Sequence, residues 1–369
     1  MNYRYRCIRP HVPAPELWYP FLQEAYARRW FSNFGPLSRR FESGVLATFG
    51  ANDECCVATA SATTGLAASL IAHSIEGPVL IPAFTFAASM SAVLMARAHP
   101  LIVDVDRENW IVSPATFDEA LGTTGAKAAM LVAPFGIRPD FHEHAEICRK
   151  HGALLLLDNA AGLGSAREIT GNGTGIHEIY SLHVTKPFAV GEGGLIFAQR
   201  DQEDRLRAAL NFALRSRAWP DGPRWGINGK MSEIHAAIGL AQLHRFQSFL
   251  SKRRHFAECY IEHLAPFSTL RFPRDSMRAP WQLFPVVLPS PKHAERFVER
   301  AAARGMEILR YYRPSLADWP HVTLAHPCPN AEWLSERMCC LPIYGDASTD
   351  EHDEIIAIVC RSLQEGLDC

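Results

Sequence analysis

AAMLVAPFG (128–136), ALLLLDNA (153–160), IYSLHV (179–184) and GGLIFA (193–198) are the stretches whose reading decides the fold. Each is a short, continuous apolar run without the polar alternation of a strand that has one wet face. Runs of this kind read as strands buried on both faces. Two more precede them, PVLIPAF (78–84) and PLIVDVD (100–106). Between the runs lie segments such as FDEALG (117–122) and FHEHAEICRKHG (141–152), where a helical pattern closes on glycine. Strand–helix alternation predicts an α/β fold with a mainly parallel central sheet.

The character changes after SEIHAAIGLAQLHRFQSFLSKRRHFAECYIEHLA (232–265), whose apolar spacing suits one long helix or two joined ones. WQLFPVVLP (281–289), HAERFVERAAARG (293–305) and EIIAIVCRSLQEG (354–366) then read as a smaller α+β unit. The expected division is a large α/β domain over 1–250, including an N-terminal arm, and a small C-terminal domain over 251–369.

Composition narrows the function classes. Hydrophobic residues make up 48% and charged residues 21% of the 369, enough for a sizeable core. A net charge of −2 argues against electrostatic attraction to nucleic acid or an anionic membrane. No apolar run is long enough to span a bilayer, and MNYRYRCIRPHVPAPELWYP (1–20) lacks the pattern of a signal peptide. The ten cysteines are scattered or paired as neighbours (Cys55–Cys56, Cys339–Cys340), with no C-x-x-C. That placement argues against a disulfide framework and the usual zinc site, and points to a reducing cytoplasm. His142 and His144, two apart on an expected helix, face different sides and make a poor metal pair, so no metal is expected.

Ligands of open α/β sheets bind beyond the carboxyl ends of the strands. ALLLLD ends in Asp158, and IYSLHVT leads to Lys186, one of only six lysines. A lysine in a desolvated cleft can carry a carbonyl as a Schiff base, whereas a lysine in an exposed turn is merely solvated; spacing alone leaves both open. Asp158 likewise caps a helix, binds a metal or pairs with a protonated pyridine nitrogen. In ATASATTGLAASLIAH (58–73), small and hydroxylated residues run into a helix whose first turn holds Thr63 and Thr64. Such a start is an anion site by construction, or an ordinary N-cap.

Together these segments resemble the DegT/DnrJ/EryC1/StrS aminotransferases, a branch of the fold-type-I enzymes that use pyridoxal 5′-phosphate (PLP). The resemblance runs through WFSNFGPLSRRFE (30–42), SATTGL (61–66), IPAFTFAASMSAV (81–93), VDVD (103–106), LLDNAAGLGS (156–165), SLHVTKPFAVGEGG (181–194) and GINGKMSEIHAAIGLAQL (226–243), with weaker ILRYYRPSL (308–316) and CLPIYG (340–345). It implies that Lys186 carries PLP as a Schiff base and moves the proton, and that Asp158 pairs with the pyridine nitrogen. It implies phosphate contacts from Ala62, Thr63 and Ser181. Phe86 would stack on the pyridine ring, with core packing as its alternative. Asn228 would reach the cofactor of a partner subunit, so a homodimer with shared sites is implied. Tyr312 matches a tyrosine near the mouth of the site. His183 and Lys230 are candidates for substrate contact. Two departures stand out: Ala161 replaces a Gln or His, and Asn228-Gly229-Lys230-Met231 replaces Asn-Tyr-Arg-Met.

The expected activity is transfer of an amino group, with glutamate as donor and a nucleotide-linked keto-sugar as acceptor. Ala161 and Gly229 keep an aminocyclitol or other secondary-metabolite ketone open as acceptor. Relatives that dehydrate deoxysugars carry histidine in place of the lysine, so Lys186 argues against dehydration. A non-catalytic PLP-binding relative would lack Lys186 or Asp158, and both are present.

Overall fold

The computed structural model describes residues 3–138, 140–165, 176–214, 222–273 and 278–367. Two helices open the chain, α1 (Pro15–Arg28) and α2 (Pro36–Phe49), each begun by a proline whose fixed φ and missing N–H suit a first turn. The sheet region follows as β1 (Glu54–Thr59), α3 (Ala62–Ala72), β2 (Pro78–Pro82), α4 (Ala87–Met95), β3 (His99–Val103), α5 (Pro114–Thr124), β4 (Ala128–Val132), α6 (His142–His151), β5 (Leu154–Asp158), β6 (Ile176–Ser181) and β7 (Gly194–Gln199). The remainder is α7 (Glu203–Ala209), α8 (Glu233–Leu264), β8 (Phe284–Val287), α9 (Pro291–Ala303), β9 (Thr323–Leu324), α10 (Pro329–Ser335), β10 (Met338–Leu341) and α11 (Thr349–Leu367).

Eight strands form the main sheet in the order β1-β7-β6-β5-β4-β2-β3-β9, and β8 pairs with β10 in a second, two-stranded sheet. All neighbours in the main sheet run parallel except at β7, which is antiparallel to both β1 and β6. The six apolar runs are β2 to β7. Glu54–Thr59 was not among them, and it is a strand at the sheet edge.

The burial of both sheet faces explains the unbroken apolar runs. Cys55 and Val57 of β1, Ile179 of β6 and Ile196 and Ala198 of β7 enter one core with α3 and α4. Their chain neighbours Cys56, Ala58, Tyr180, Leu195 and Phe197 enter another, against Leu37 and Phe41 of α2 and Leu240 and Phe246 of α8. Alternate side chains point to opposite faces, and here neither face is wet.

The 232–265 segment is a single helix of 32 residues. Its residues up to Leu250 pack on the main sheet's core, while Phe256, Tyr260 and Leu264 join a third core with Trp281, Phe284, Phe297 and Ile355. Tyr5 of the N-terminal arm belongs to that third core, and its hydroxyl donates to Glu354 at 2.6 Å.

Two buried glutamates tie the N-terminal helices down. Glu233 accepts from the Leu37 and Ser38 amides at 2.7 and 2.9 Å, a carboxylate on a helix N-terminus. Glu42 accepts from the Ala58 amide at 2.8 Å and from both prongs of Arg207 at 3.1 and 2.8 Å. The nine described cysteines are free thiols, and Cys369 lies outside the described residues. No described helix is long and apolar enough to cross a membrane.

Candidate active site

The strands β1, β5 and β6 point the same way, so Thr59, Asp158 and Ser181 arrive at one edge of the sheet. Thr59 and Ser181 both lie opposite Gly194 in register. A Cβ on Gly194 would stand 2.6 Å from the Ala62 nitrogen and 2.6 Å from the Ser61 carbonyl carbon. Only glycine lets the start of α3 lie this close over β7. Ser61 and Thr64 form a reciprocal capping box there. The amides of Ala62 and Thr63 belong to the first turn, have no acceptor within the helix, and face outward at the positive end of its dipole. Ser181, 7% exposed, accepts from the His183 amide at 3.2 Å and keeps its own hydroxyl proton to donate. That set of donors fits a phosphate.

Asp158 is 6% exposed. Its carboxylate accepts from Ser89 Oγ at 2.8 Å and from the Ala160 amide at 3.3 Å. Burial pushes its pKa up, and the Ser89 hydrogen bond, the Lys186 charge and the Ala160 amide only partly offset this. Ser89 is itself oriented by Thr85, whose hydroxyl lies 2.8 Å away. A buried carboxylate with so few donors suits a partner that brings its own N–H, such as a protonated pyridine nitrogen.

Lys186 follows β6 and is half-buried. Burial pulls its pKa down to about 8, against the raising influence of Asp158. An amine in this range exchanges its proton readily near neutral pH, the property a Schiff-base lysine needs. Its Nζ donates to Gln282 Oε1 at 3.0 Å. Gln282 Nε2 in turn donates to the Thr185 carbonyl at 3.3 Å, which fixes the amide's orientation. Behind it, buried Arg253 donates from Nε to the carbonyls of Pro280 and Trp281 at 3.1 and 2.9 Å and from Nη2 to that of Gln282 at 2.8 Å.

The other candidates are placed as follows. Phe86 stands at the start of α4, one turn before Ser89, and is 58% exposed, so its ring is not packed in a core. Tyr312 lies edge-on to Phe84 and stacked on Phe135, with centroids 5.1 and 5.9 Å away. Burial and then the Asp158 charge push its hydroxyl well up. His183 turns along its own loop: Nδ1 meets the Thr185 hydroxyl at 2.8 Å, and Nε2 faces Glu192 at 3.5 Å. Lys230 is buried, donates to Asn211 Oδ1 at 2.8 Å and lies over the Phe212 ring at 4.8 Å. Its pKa is lowered by burial. Asn228 is exposed and bridges to Asn211 through its backbone.

The two departures have structural counterparts. Ala161 is buried and presents a methyl group. Gly229 threads between two segments, donating to the Leu210 carbonyl at 3.0 Å and accepting from the Ala60 amide at 2.7 Å. A Cβ there would stand 2.6 Å from Leu210 Cδ2, so a side chain at this position would require the leucine to turn aside. Among the described residues no group of three or more His, Cys, Asp or Glu side chains is placed to hold a metal ion.

The start of α3, Asp158 and Ser181 thus stand beyond the carboxyl ends of β1, β5 and β6, with Lys186 in the loop that follows β6. The family model for the DegT/DnrJ/EryC1/StrS aminotransferase family matches residues 19–360. The chain belongs to this family. It is a PLP-dependent aminotransferase of fold type I. A protein of Mycobacterium bovis, Mb3436c, is 32% identical over 380 residues, covering 97% of this chain and 90% of its own. The structure of DesI in the presence of its TDP-sugar product superposes with a TM-score of 0.86 at 28% identity, covering 98% of this chain and 93% of that one. The aminotransferase TlmJ from Streptoalloteichus hindustanus gives 0.84 at 25% identity, covering 97% and 98%.

Ser89, Gln282 and Arg253 are the members of this edge that sequence reading missed. Ser89 sits in the small-residue run IPAFTFAASMSAV, where a hydroxyl looks like filler. Gln282 lies 96 residues from Lys186, with no local pattern to join them.

Proposed function

We propose that this enzyme moves an amino group from glutamate to a keto-sugar carried on a nucleotide, in two half-reactions at one site. The observation that carries the reading is the placement of Lys186 after β6, its Nζ held on Gln282 at 3.0 Å, near the buried Asp158 at the end of β5 in a chain of this aminotransferase family. Lys186 would hold the cofactor covalently until the donor's amine displaces it, and the Nζ so freed would take the proton from the donor's α-carbon and hand it on. Asp158 would keep a proton on the ring nitrogen. The Ala62 and Thr63 amides and the Ser181 hydroxyl would hold the phosphate, and the exposed Phe86 would pack on the ring. PLP, when bound, supplies an electron sink for the charge left on the substrate carbon. His183, Lys230 and Tyr312 are the candidates for substrate contact.

The TDP-sugar product of DesI supports a nucleotide-linked acceptor. Ala161 and Gly229 favour a second reading, an aminocyclitol or other ketone, because the site offers a methyl group and a tight loop where the family places polar and aromatic side chains. We further infer a homodimer in which Asn228 of each copy completes the other's phosphate site, a division of the chain at about residue 250, within α8, and a cytoplasmic setting, which the free thiols support.

The test is amino transfer from glutamate to a panel of nucleotide-linked keto-sugars and free keto-cyclitols, read as product mass and as 2-oxoglutarate formed. Aminated nucleotide-sugar supports the first reading and aminated cyclitol the second. Turnover of the donor with neither acceptor class would contradict both.

A further inference from the structure

We propose that Gln282 is a positioning residue for Lys186: its amide oxygen holds Nζ in place, and its neutrality leaves the amine free both to accept and to release a proton. The inference rests on Lys186 being the amine that carries the cofactor. Its geometric basis is that the glutamine is held at every point. Nε2 donates to the Thr185 carbonyl, the backbone amide donates to the Phe135 carbonyl at 3.4 Å, and the Arg253 guanidinium grips the carbonyls of Pro280, Trp281 and Gln282. Arg253 is 6% exposed and spends a buried cation on backbone oxygens, an arrangement that fixes a turn rather than a substrate. The turn so fixed carries the side chain that accepts a hydrogen bond from Lys186 Nζ.

A neutral acceptor serves this lysine better than a charged one. An amide oxygen accepts from an ammonium or from a neutral amine, so the nitrogen stays in register through a protonation cycle, with its lone pair turned away from the glutamine. A carboxylate in the same place would favour the ammonium alone. The other groups around Lys186 leave that choice to Gln282. Asp158 faces it from β5, and Tyr312 stands in the same surroundings. Arg253 of α8 and Cys7, Arg9 and His11 of the N-terminal arm line the crevice shared with Thr185, Lys186 and Gln282. Arg9 is paired with Asp346 and Glu351, and burial lowers His11.

The test uses the full chain freed of PLP, mixed with PLP while growth of the visible band is followed across the neutral and alkaline range. A Lys186→Ala control shows which absorbance depends on the lysine. Attachment needs the neutral amine, so the wild-type rate rises with pH to a midpoint near 8. Gln282→Glu, of the same shape, should move the midpoint up by about one unit or more, roughly a tenfold slower attachment at neutral pH. Gln282→Met, also of similar shape and uncharged, should move it down, because the ammonium loses its acceptor. Melting curves guard against a fold defect, and a shift in the stated direction in either variant supports the inference. Midpoints equal to wild type in both would overturn the inference and leave the Lys186 reading intact. No Lys186-dependent band in the wild type would overturn both.

Discussion

Where α2 and α7 meet β1, Glu42 and Arg207 form a two-pronged buried pair, with Glu203 on the same guanidinium at 2.7 Å and Arg39 at its edge. Beyond β5 and β6, Asp158 and Lys186 also share a desolvated setting, yet each is hydrogen-bonded to a neutral partner, Ser89 and Gln282. The consequences run in opposite directions. At the first cluster burial works against charge but loses: the Glu42 and Glu203 contacts leave Arg207 raised, and the Arg207 and Arg39 contacts leave Glu203 lowered. At the second, burial wins, so Asp158 is raised and Lys186 lowered. Matched charges lock their protonation and serve the fold, whereas neutral partners leave protons movable and serve chemistry.

Removing one partner of the locked pair is the strongest way to break this comparison. Glu42→Ala leaves Arg207 buried without its main counter-charge and should lower unfolding stability by about 3–5 kcal/mol. Denaturant melts would register it, while the visible band of the bound cofactor stays unchanged at temperatures below the melt. Asp158→Asn should do the reverse. We expect near wild-type stability and roughly a 10²–10³-fold loss of turnover, because the ring nitrogen loses its charged partner. A large stability loss there would place Asp158 among the structural pairs.

Ser89→Ala sharpens the contrast at smaller scale. It removes a hydrogen bond to a charged group, worth about 1.5–3 kcal/mol, and should raise the Asp158 pKa further. Turnover should fall by roughly tenfold, for a loss of about 1.4 kcal/mol, and most steeply at acid pH, where the weakened carboxylate protonates first. Equal loss at every pH would mean that Ser89 only packs. The smallest effect expected is on pH alone: in the Asp158→Asn protein the midpoint for PLP attachment should move below about 8, since the charge that raises Lys186 is gone.

The two clusters also differ in how far they could be read from sequence. Asp158 and Lys186 follow apolar strand runs, and strand ends are where α/β sheets put chemistry, so their positions were legible. The start of α3 was legible because small and hydroxylated residues run straight into an apolar helix there, although the reciprocal Ser61–Thr64 box was not. Glu42 and Glu233 stood within the quoted family blocks, but their work on the Ala58, Leu37 and Ser38 amides depends on tertiary contacts that local pattern does not encode. Gln282 and Arg253 were hidden for the same reason: each acts across the fold on a distant segment. The antiparallel direction of β7 was not read from the sequence; it follows from the described segment 182–193, which has no crossover helix to bring the strand round parallel. Glu54–Thr59 was missed because ECCVAT mixes small and polar residues and borrows its strand character from β7.

The central claim is that the movable proton belongs to Lys186 and that this amine carries the cofactor. The most direct measurement is borohydride reduction of the purified PLP-bound protein, followed by peptide mapping by mass spectrometry, with Lys186→Ala beside it. The account predicts a pyridoxyl-phosphate adduct on the peptide containing Lys186 and none in the variant. An adduct on another lysine, such as the buried Lys230, or equal labelling of the Lys186→Ala protein, would contradict it.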